Sequence, residues 1–203
     1  MIKNIIFDFG DVFINLDKDA TINAFGHLGL EKTTIEIMEI ATAYEVGRIS
    51  TDAFVQFFID NFKFTKEDVV LAWNAILLDF PRHRLSFLKE LNARDNYRLF
   101  LLSNTNELHI SWIQKNWGPK MYAEFKSCFE KFYLSHEIHL RKPSQDIFEF
   151  VLQKNSLIAE ETFFIDDTEE HTVTAKKLGI KTWNLIPGKE DVVDLLTKKE
   201  FRI

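Results

Sequence analysis

Four short apolar runs, each followed by sequence of helical character, constrain the fold of this chain more than any other feature. They are residues 4–7 (NIIF), 97–102 (YRLFLL), 162–165 (TFFI) and 180–185 (IKTWNL). Most of them lack the polar alternation of a half-exposed strand, which marks strands buried on both faces; residues 132–134 (FYL) form a weaker fifth. Helical patterns over 105–117, 144–154, 169–178 and 190–197 lie between and after these runs. In the second pattern Ile147, Phe148, Val151 and Leu152 share one face at helical spacing. Strands alternating with helices predict a parallel sheet covered on both sides. Right-handed crossovers then give a doubly wound, Rossmann-like α/β fold, whose ligands bind at the carboxyl ends of the strands.

One stretch breaks the alternation. Residues 18–80 contain no strand-like run and read as consecutive helices, an all-helical subdomain inserted into a core built from 1–17 and 81–203. Thr33 with Glu36 has the form of a capping box, and Phe54, Phe57 and Phe58 mark a buried face. The stretch holds 10 Asp and Glu against 5 Lys and Arg, so −5 of the net charge of −6 resides there. That charge argues against nucleic acid as a partner. The longest apolar run, residues 69–73, is far shorter than the ~20 residues of a membrane span. The single cysteine, Cys128, can form no intrachain disulfide and suits a reducing compartment. The expectation is a cytoplasmic protein, monomeric or a small homo-oligomer, with neither membrane nor nucleic-acid partner.

Candidate chemistry sits where the fold places ligands. Asp8 ends the first strand in IIFDFGDV, Ser103 and Asn104 end the second in LFLLSNT, and Asp166 and Asp167 end the third strong strand in FFIDDTEEH. Lys142 precedes a helix in LRKPSQ. Each has an ordinary reading: a turn-starting Asp, an N-cap Ser or Asn, a solvated Lys. The adjacent acids are harder to dismiss, because neighbouring carboxylates repel unless a cation lies between them. Together the residues offer three carboxylates, a hydroxyl and an ammonium, an inventory suited to phosphoryl transfer with Mg²⁺. Asp8 can then attack phosphorus and carry it as an aspartyl-phosphate.

In this order and spacing the residues resemble the haloacid dehalogenase-like superfamily over nearly the whole chain. IIFDFGDVF is similar to its first motif, LLSN to its second, the Lys of RKP to its third and FIDDTEEH to its fourth. AYEVGRISTDAF is similar to a stretch common in the helical caps that such proteins carry between the first two motifs. The resemblance implies a Mg²⁺-dependent phosphatase acting on a small phosphorylated molecule. It makes Asp8 the nucleophile and puts Ser103, Asn104 and Lys142 on the phosphoryl group. Mg²⁺ is implied on Asp8, the Gly10 carbonyl, Asp167 and Asp166, the last directly or through water.

Two positions depart from the family pattern. The family usually has a second Asp, a general acid and base, where this chain has Gly10. The FDxG variant resembles a branch similar to bacterial glucose-1-phosphate phosphatases, which points to a sugar 1-phosphate; Asp11, one residue on, is a candidate substitute for the acid. His171 stands where Asn or Asp is more usual, either supporting the metal ligands or solvated on its helix. The alternatives are a catalytically weak binding or regulatory module, a phosphomutase and a dehalogenase. Gly10 speaks against the second and the Asp166–Asp167 pair against the third. His136 and His139 read as loop residues, and His27 and Arg48 as cap positions that are more often solvent-facing.

Overall fold

A computed structural model describes residues 1–30 and 32–202, apart from the side chains of Glu200 and Arg202. Five strands, β1 (Asn4–Phe7), β2 (Arg98–Ser103), β3 (Lys131–Leu134), β4 (Thr162–Asp166) and β5 (Lys181–Asn184), form one sheet in the order β3-β2-β1-β4-β5. Every neighbouring pair is parallel. The predicted doubly wound α/β fold is the fold observed. The chain first builds outward from β1 through β2 to β3, then crosses back to β4 on the other flank. The order therefore reverses at β1, where a doubly wound sheet opens its crevice.

The period-2 alternation of the strands divides the core into two layers. Ile5 and Phe7 of β1, Leu99 and Leu101 of β2 and Phe163 and Ile165 of β4 enter one cluster of buried side chains. Ile6, Phe100, Leu102 and Phe164 point the other way, onto Ile147, Phe148 and Val151 of helix Gln145–Lys154. A fully buried Val, Leu, Ile or Phe contributes roughly 1.5–3 kcal/mol, so both faces are held hard.

Helices Ala20–His27, Ile35–Glu45, Thr51–Phe62 and Lys66–Asn74 lie between β1 and β2, as the strandless sequence there predicts. They share a separate cluster in which Phe25 stacks on Phe58 and Tyr44 on Phe54. The chain enters and leaves this unit side by side: Asn15 N donates to Asp79 O, Leu78 N to Asn15 O and Asp17 N to Ile76 O, at 2.9–3.0 Å.

Several boundaries differ from expectation. The second helix of the unit is capped by Thr34, whose hydroxyl accepts from Ile37 N, not by Thr33. Helix 105–117 begins at Glu107, because Asn106 accepts from His109 N and takes the N-cap. The last stretch is a tighter 3₁₀ segment, Val192–Thr197. Helix Arg82–Ala93 has no counterpart in the pattern reading; its buried positions, Arg84, Leu88 and Leu91, stand among charged residues.

Candidate active site

Asp8 follows β1 directly, its backbone N–H donating to Ile165 O at 2.8 Å, so the pairing of β1 with β4 carries it to the mouth of the crevice. On the next strand Asp166 ends β4. The Asn184 amide donates to the carbonyls of Asp166 (3.3 Å) and Asp167 (3.0 Å), which fixes the turn between them. One carboxylate oxygen from each of Asp8, Asp166 and Asp167 lies within 4.8 Å of the others.

Lys142 comes from the loop before helix Gln145–Lys154 and is wholly buried. Its Nζ stands 2.7 Å from Asp8 Oδ1 and 2.6 Å from Asp166 Oδ2, with the Phe164 ring centroid 5.4 Å away. Asn104 holds the backbone that makes this reach possible. Its Oδ1 accepts from Lys142 N at 2.9 Å, and its Nδ2 donates to Lys142 O at 2.8 Å. The Asn104 side chain is thus spent on positioning Lys142. Ser103 is buried beside it, its hydroxyl making only a 3.5 Å approach to Asn104 O among the described residues.

Charge in this cluster is finely opposed. Burial pushes the Asp8 carboxyl up to about 7; Lys142 opposes the rise, while Asp166 and Asp167 add to it by repulsion. Burial works against the Lys142 ammonium too, but Asp166 and Asp8 outweigh it and hold the group charged. Asp166 suffers the same desolvation, yet Lys142 and His171 keep its carboxyl below the usual range. His171 is therefore no solvated helix residue: its Nδ1 lies 3.0 Å from both Asp166 oxygens. Thr168 N donates to Asp166 Oδ1 at 2.8 Å as well, so Asp166 is occupied on both oxygens.

Asp167 is less committed. Its Oδ2 pairs with Lys18 Nζ at 2.5 Å, and the same ammonium reaches Asp11 Oδ2 at 3.2 Å. Asp11 Oδ1 accepts from Leu16 N at 2.9 Å. One Asp11 oxygen is thus held by the Leu16 N–H and the other by Lys18. A Cβ on Gly10 would meet Leu16 Cδ1 at 2.7 Å, so Gly10 makes room for that leucine in the cavity wall.

A cavity of about 250 Å³ adjoins this centre, reached by Gly10, Ser103 and Asn104 from the sheet and by Thr21, Glu45 and Trp73 from the helical unit. His27 and Arg48 are exposed and do not line it. His136 and His139 accept ordinary duties, their Nδ1 atoms lying 3.2 Å from Thr105 O and 3.0 Å from Val46 O.

The haloacid dehalogenase-like hydrolase family model matches residues 5–185. The chain belongs to that family. Among curated proteins it is 32% identical to a D-ribitol-5-phosphate phosphatase of Bacteroides thetaiotaomicron over 90% of this chain and 91% of that one. Among solved structures it is similar to a family enzyme of the same organism in complex with magnesium, at 35% identity and a TM-score of 0.87, covering 97% of this chain and 99% of that one. A family hydrolase of Porphyromonas gingivalis gives 30% identity and 0.80 over 94% of each chain.

Within this family member, the residues that the pattern missed are Lys18, Glu45 and the Trp73–Asn106–His109 group. They meet the site only through tertiary packing; of them only Glu45 lies in a stretch the sequence singles out, AYEVGRISTDAF.

Proposed function

We propose that this chain is a Mg²⁺-dependent phosphatase that hydrolyses a small phosphorylated metabolite through an aspartyl-phosphate on Asp8, with sugar 1-phosphates the favoured class. The observation that carries the reading is the wholly buried Lys142 ammonium held between Asp8 and Asp166 at the mouth of the sheet. Such a centre neutralises charge on a phosphoryl group without solvent competition. The phosphatase activity of the Bacteroides relative, and the magnesium in a similar enzyme of that organism, support the metal-dependent phosphatase; the preference for sugar 1-phosphates rests on Gly10 alone.

The donor set fits the ion. Mg²⁺ prefers a few carboxylate oxygens and keeps water, and the three clustered carboxylates have no soft or nitrogen donor among them. Asp8, Asp167 and the Gly10 carbonyl would hold it, with Asp166, already bonded on both oxygens, acting through water. Once bound, the ion supplies positive charge that offsets repulsion between the carboxylates and the phosphoryl oxygens.

Lys142 fixes Asp8 Oδ1, which leaves Oδ2 as the attacking oxygen. Attack forms the Oδ2–P bond and breaks the ester P–O bond, whose electron pair leaves on the substrate oxygen and takes up a proton. Water then attacks the same phosphorus, inorganic phosphate departs and the carboxylate is restored. Without a carboxyl at position 10 the leaving oxygen relies on its own acidity. General acids supply about 10²–10⁴-fold, so anomeric, acyl and aryl leaving groups suffer least from the lack. Residues 18–80 act as a cap over the core of 1–17 and 81–203, excluding water and large substrates.

Gly10 also favours one other reading, a binding module of weak activity. A panel of sugar, acyl and aryl phosphates assayed with Mg²⁺ and with chelator separates the two. Turnover abolished by chelator is expected; no turnover of any ester with Mg²⁺ contradicts the phosphatase.

A further inference from the structure

The wall of the cavity carries an uneven supply of hydrogen-bonding groups. Trp73 Nε1 donates to Asn106 Oδ1 at 3.2 Å, and Asn106 Nδ2 donates to His109 Nδ1 at 3.2 Å. That makes His109 Nδ1 the acceptor and leaves its proton on Nε2, which donates to Trp73 O at 3.2 Å. Thr21 Oγ1 gives its proton to the same carbonyl at 3.2 Å. These side chains have therefore spent the donors just named on one another. Six apolar residues, Phe9, Ile14, Leu16, Ile76, Leu77 and Ile113, line much of the rest.

Glu45 is the exception. It closes helix Ile35–Glu45, where the negative end of the helix dipole disfavours a carboxylate, and it is largely buried. Its backbone is fixed from outside the cavity: Ser135 Oγ donates to Glu45 O at 2.6 Å. Two residues on, Gly47 (φ +66°) packs so closely that a Cβ would stand 2.1 Å from His136 O. The side chain meets one cation, Arg141, whose Nε lies 2.7 Å from Glu45 Oε2. Burial pushes the Glu45 carboxyl above its usual range, and Arg141 opposes that rise by charge and by hydrogen bonding, so the ion pair keeps the group ionised. Glu45 Oε1 has no protein hydrogen bond among the described residues. A buried carboxylate placed against its helix dipole and left with acceptor capacity is a cost that structure alone does not require.

Resting on the phosphatase reading, we infer that Glu45 selects the leaving group: its carboxylate accepts a hydroxyl of a neutral polyhydroxylated monophosphate and repels carboxylated phosphates. A wall whose Trp73, His109 and Thr21 donors are already paired, and which holds an anionic acceptor, suits a ligand rich in O–H groups. A ligand that brings its own carboxylate meets a like charge at Glu45. Sites built around a substrate hydroxyl discriminate strongly, because a ligand without it leaves the buried group unpaired.

The test compares kcat/KM for a sugar or alditol monophosphate with that for 2-phosphoglycolate, both with Mg²⁺ and both referred to an aryl phosphate. Glu45→Gln is expected to lower the polyol-to-carboxylate ratio by about tenfold or more, the weight of one hydrogen bond to a charged group. Arg141→Met, which removes the counter-charge that keeps Glu45 ionised, is expected to lower the ratio too, and this arm stands even where Glu45→Gln fails to fold. A ratio that neither variant moves, whatever happens to the absolute rates, overturns the inference and reduces Glu45 to a structural contact. Absence of turnover in the wild-type protein overturns the phosphatase reading itself, and this assignment with it.

Discussion

Lys142 Nζ lies 2.7 Å from Asp8 Oδ1, and no part of the lysine side chain is reached by solvent. A buried charge in that position is stable only while its carboxylate partners remain, and they in turn repel one another without it. Lys142→Met is expected to lower kcat on an aryl phosphate by about 10²–10³-fold, the scale of one lost electrostatic donor. Breaking a buried pair also costs about 3–5 kcal/mol of stability. Calorimetry and steady-state rates check both; wild-type kcat in the variant contradicts the role given to Lys142.

Asp8, Asp166 and Asp167 still repel one another despite Lys142, which makes the metal-free protein sensitive to Mg²⁺. Saturating Mg²⁺ is expected to raise the melting temperature by mass action, about 2.7 kcal/mol at 100 times Kd. Asp167→Asn removes one carboxylate of the cluster and should reduce the gain and weaken Mg²⁺ binding in titration calorimetry. An equal Mg²⁺ shift in wild type and variant rules out Asp167 as a ligand.

His109 provides an acid-side stability term of known sign. Burial pushes its imidazole down to about 4, with the Trp73 carbonyl opposing. Between about 6.5 and about 4 the unfolded chain binds a proton that the folded chain refuses, so stability rises with pH there. The contribution, roughly 3 kcal/mol, is complete above about 6.5 and lost as pH falls through the window. Asp8 acts oppositely in the metal-free protein. Its folded carboxyl keeps a proton up to about 7, which lowers stability as pH rises from 3.8. The difference in unfolding free energy between wild type and His109→Gln isolates the histidine. It should grow with pH from about 4 to 6.5 and then stay level; a difference independent of pH contradicts the neutral buried imidazole.

Gly10 lacks a positive φ, and among the described residues a Cβ there would press the flexible end of Leu16. Gly10→Asp with Leu16→Ala is therefore expected to be accommodated. Supplying a carboxyl there should accelerate primary-alkyl phosphates more than aryl phosphates, flattening the dependence of rate on leaving-group acidity. A uniform change across the series means that the missing acid is already replaced by another group.

Much of this arrangement was legible in the sequence because it is local. The runs NIIF, YRLFLL and TFFI are buried strands by composition alone, and Asp8, Ser103 and Asp166 take their places by ending or directly following those strands. What escaped depends on distant partners. Nothing around Asn104 announces that its amide clamps the backbone of Lys142, 38 residues away. His171 reads either as a support for the metal ligands or as a solvated helix residue, and only the turn after β4, which brings Asp166 under its ring, decides between them. Glu45 falls in the cap-like stretch AYEVGRISTDAF, but only Arg141 and the cavity give the residue itself a place. Thr33 and Thr34 are equal as caps by chemistry, so the choice between them rests on how the chain enters the helix.

The attack of Asp8 on phosphorus is the centre of this account, and trapping the acyl phosphate tests it most directly. The wild-type protein, mixed with Mg²⁺ and a good aryl or sugar 1-phosphate and quenched in borohydride, should yield a peptide carrying homoserine at position 8, since reduction converts an acyl phosphate to the alcohol. Asp8→Asn should give neither that product nor turnover. Turnover in Asp8→Asn near the wild-type rate, or reduction at another carboxylate in place of Asp8, contradicts the mechanism.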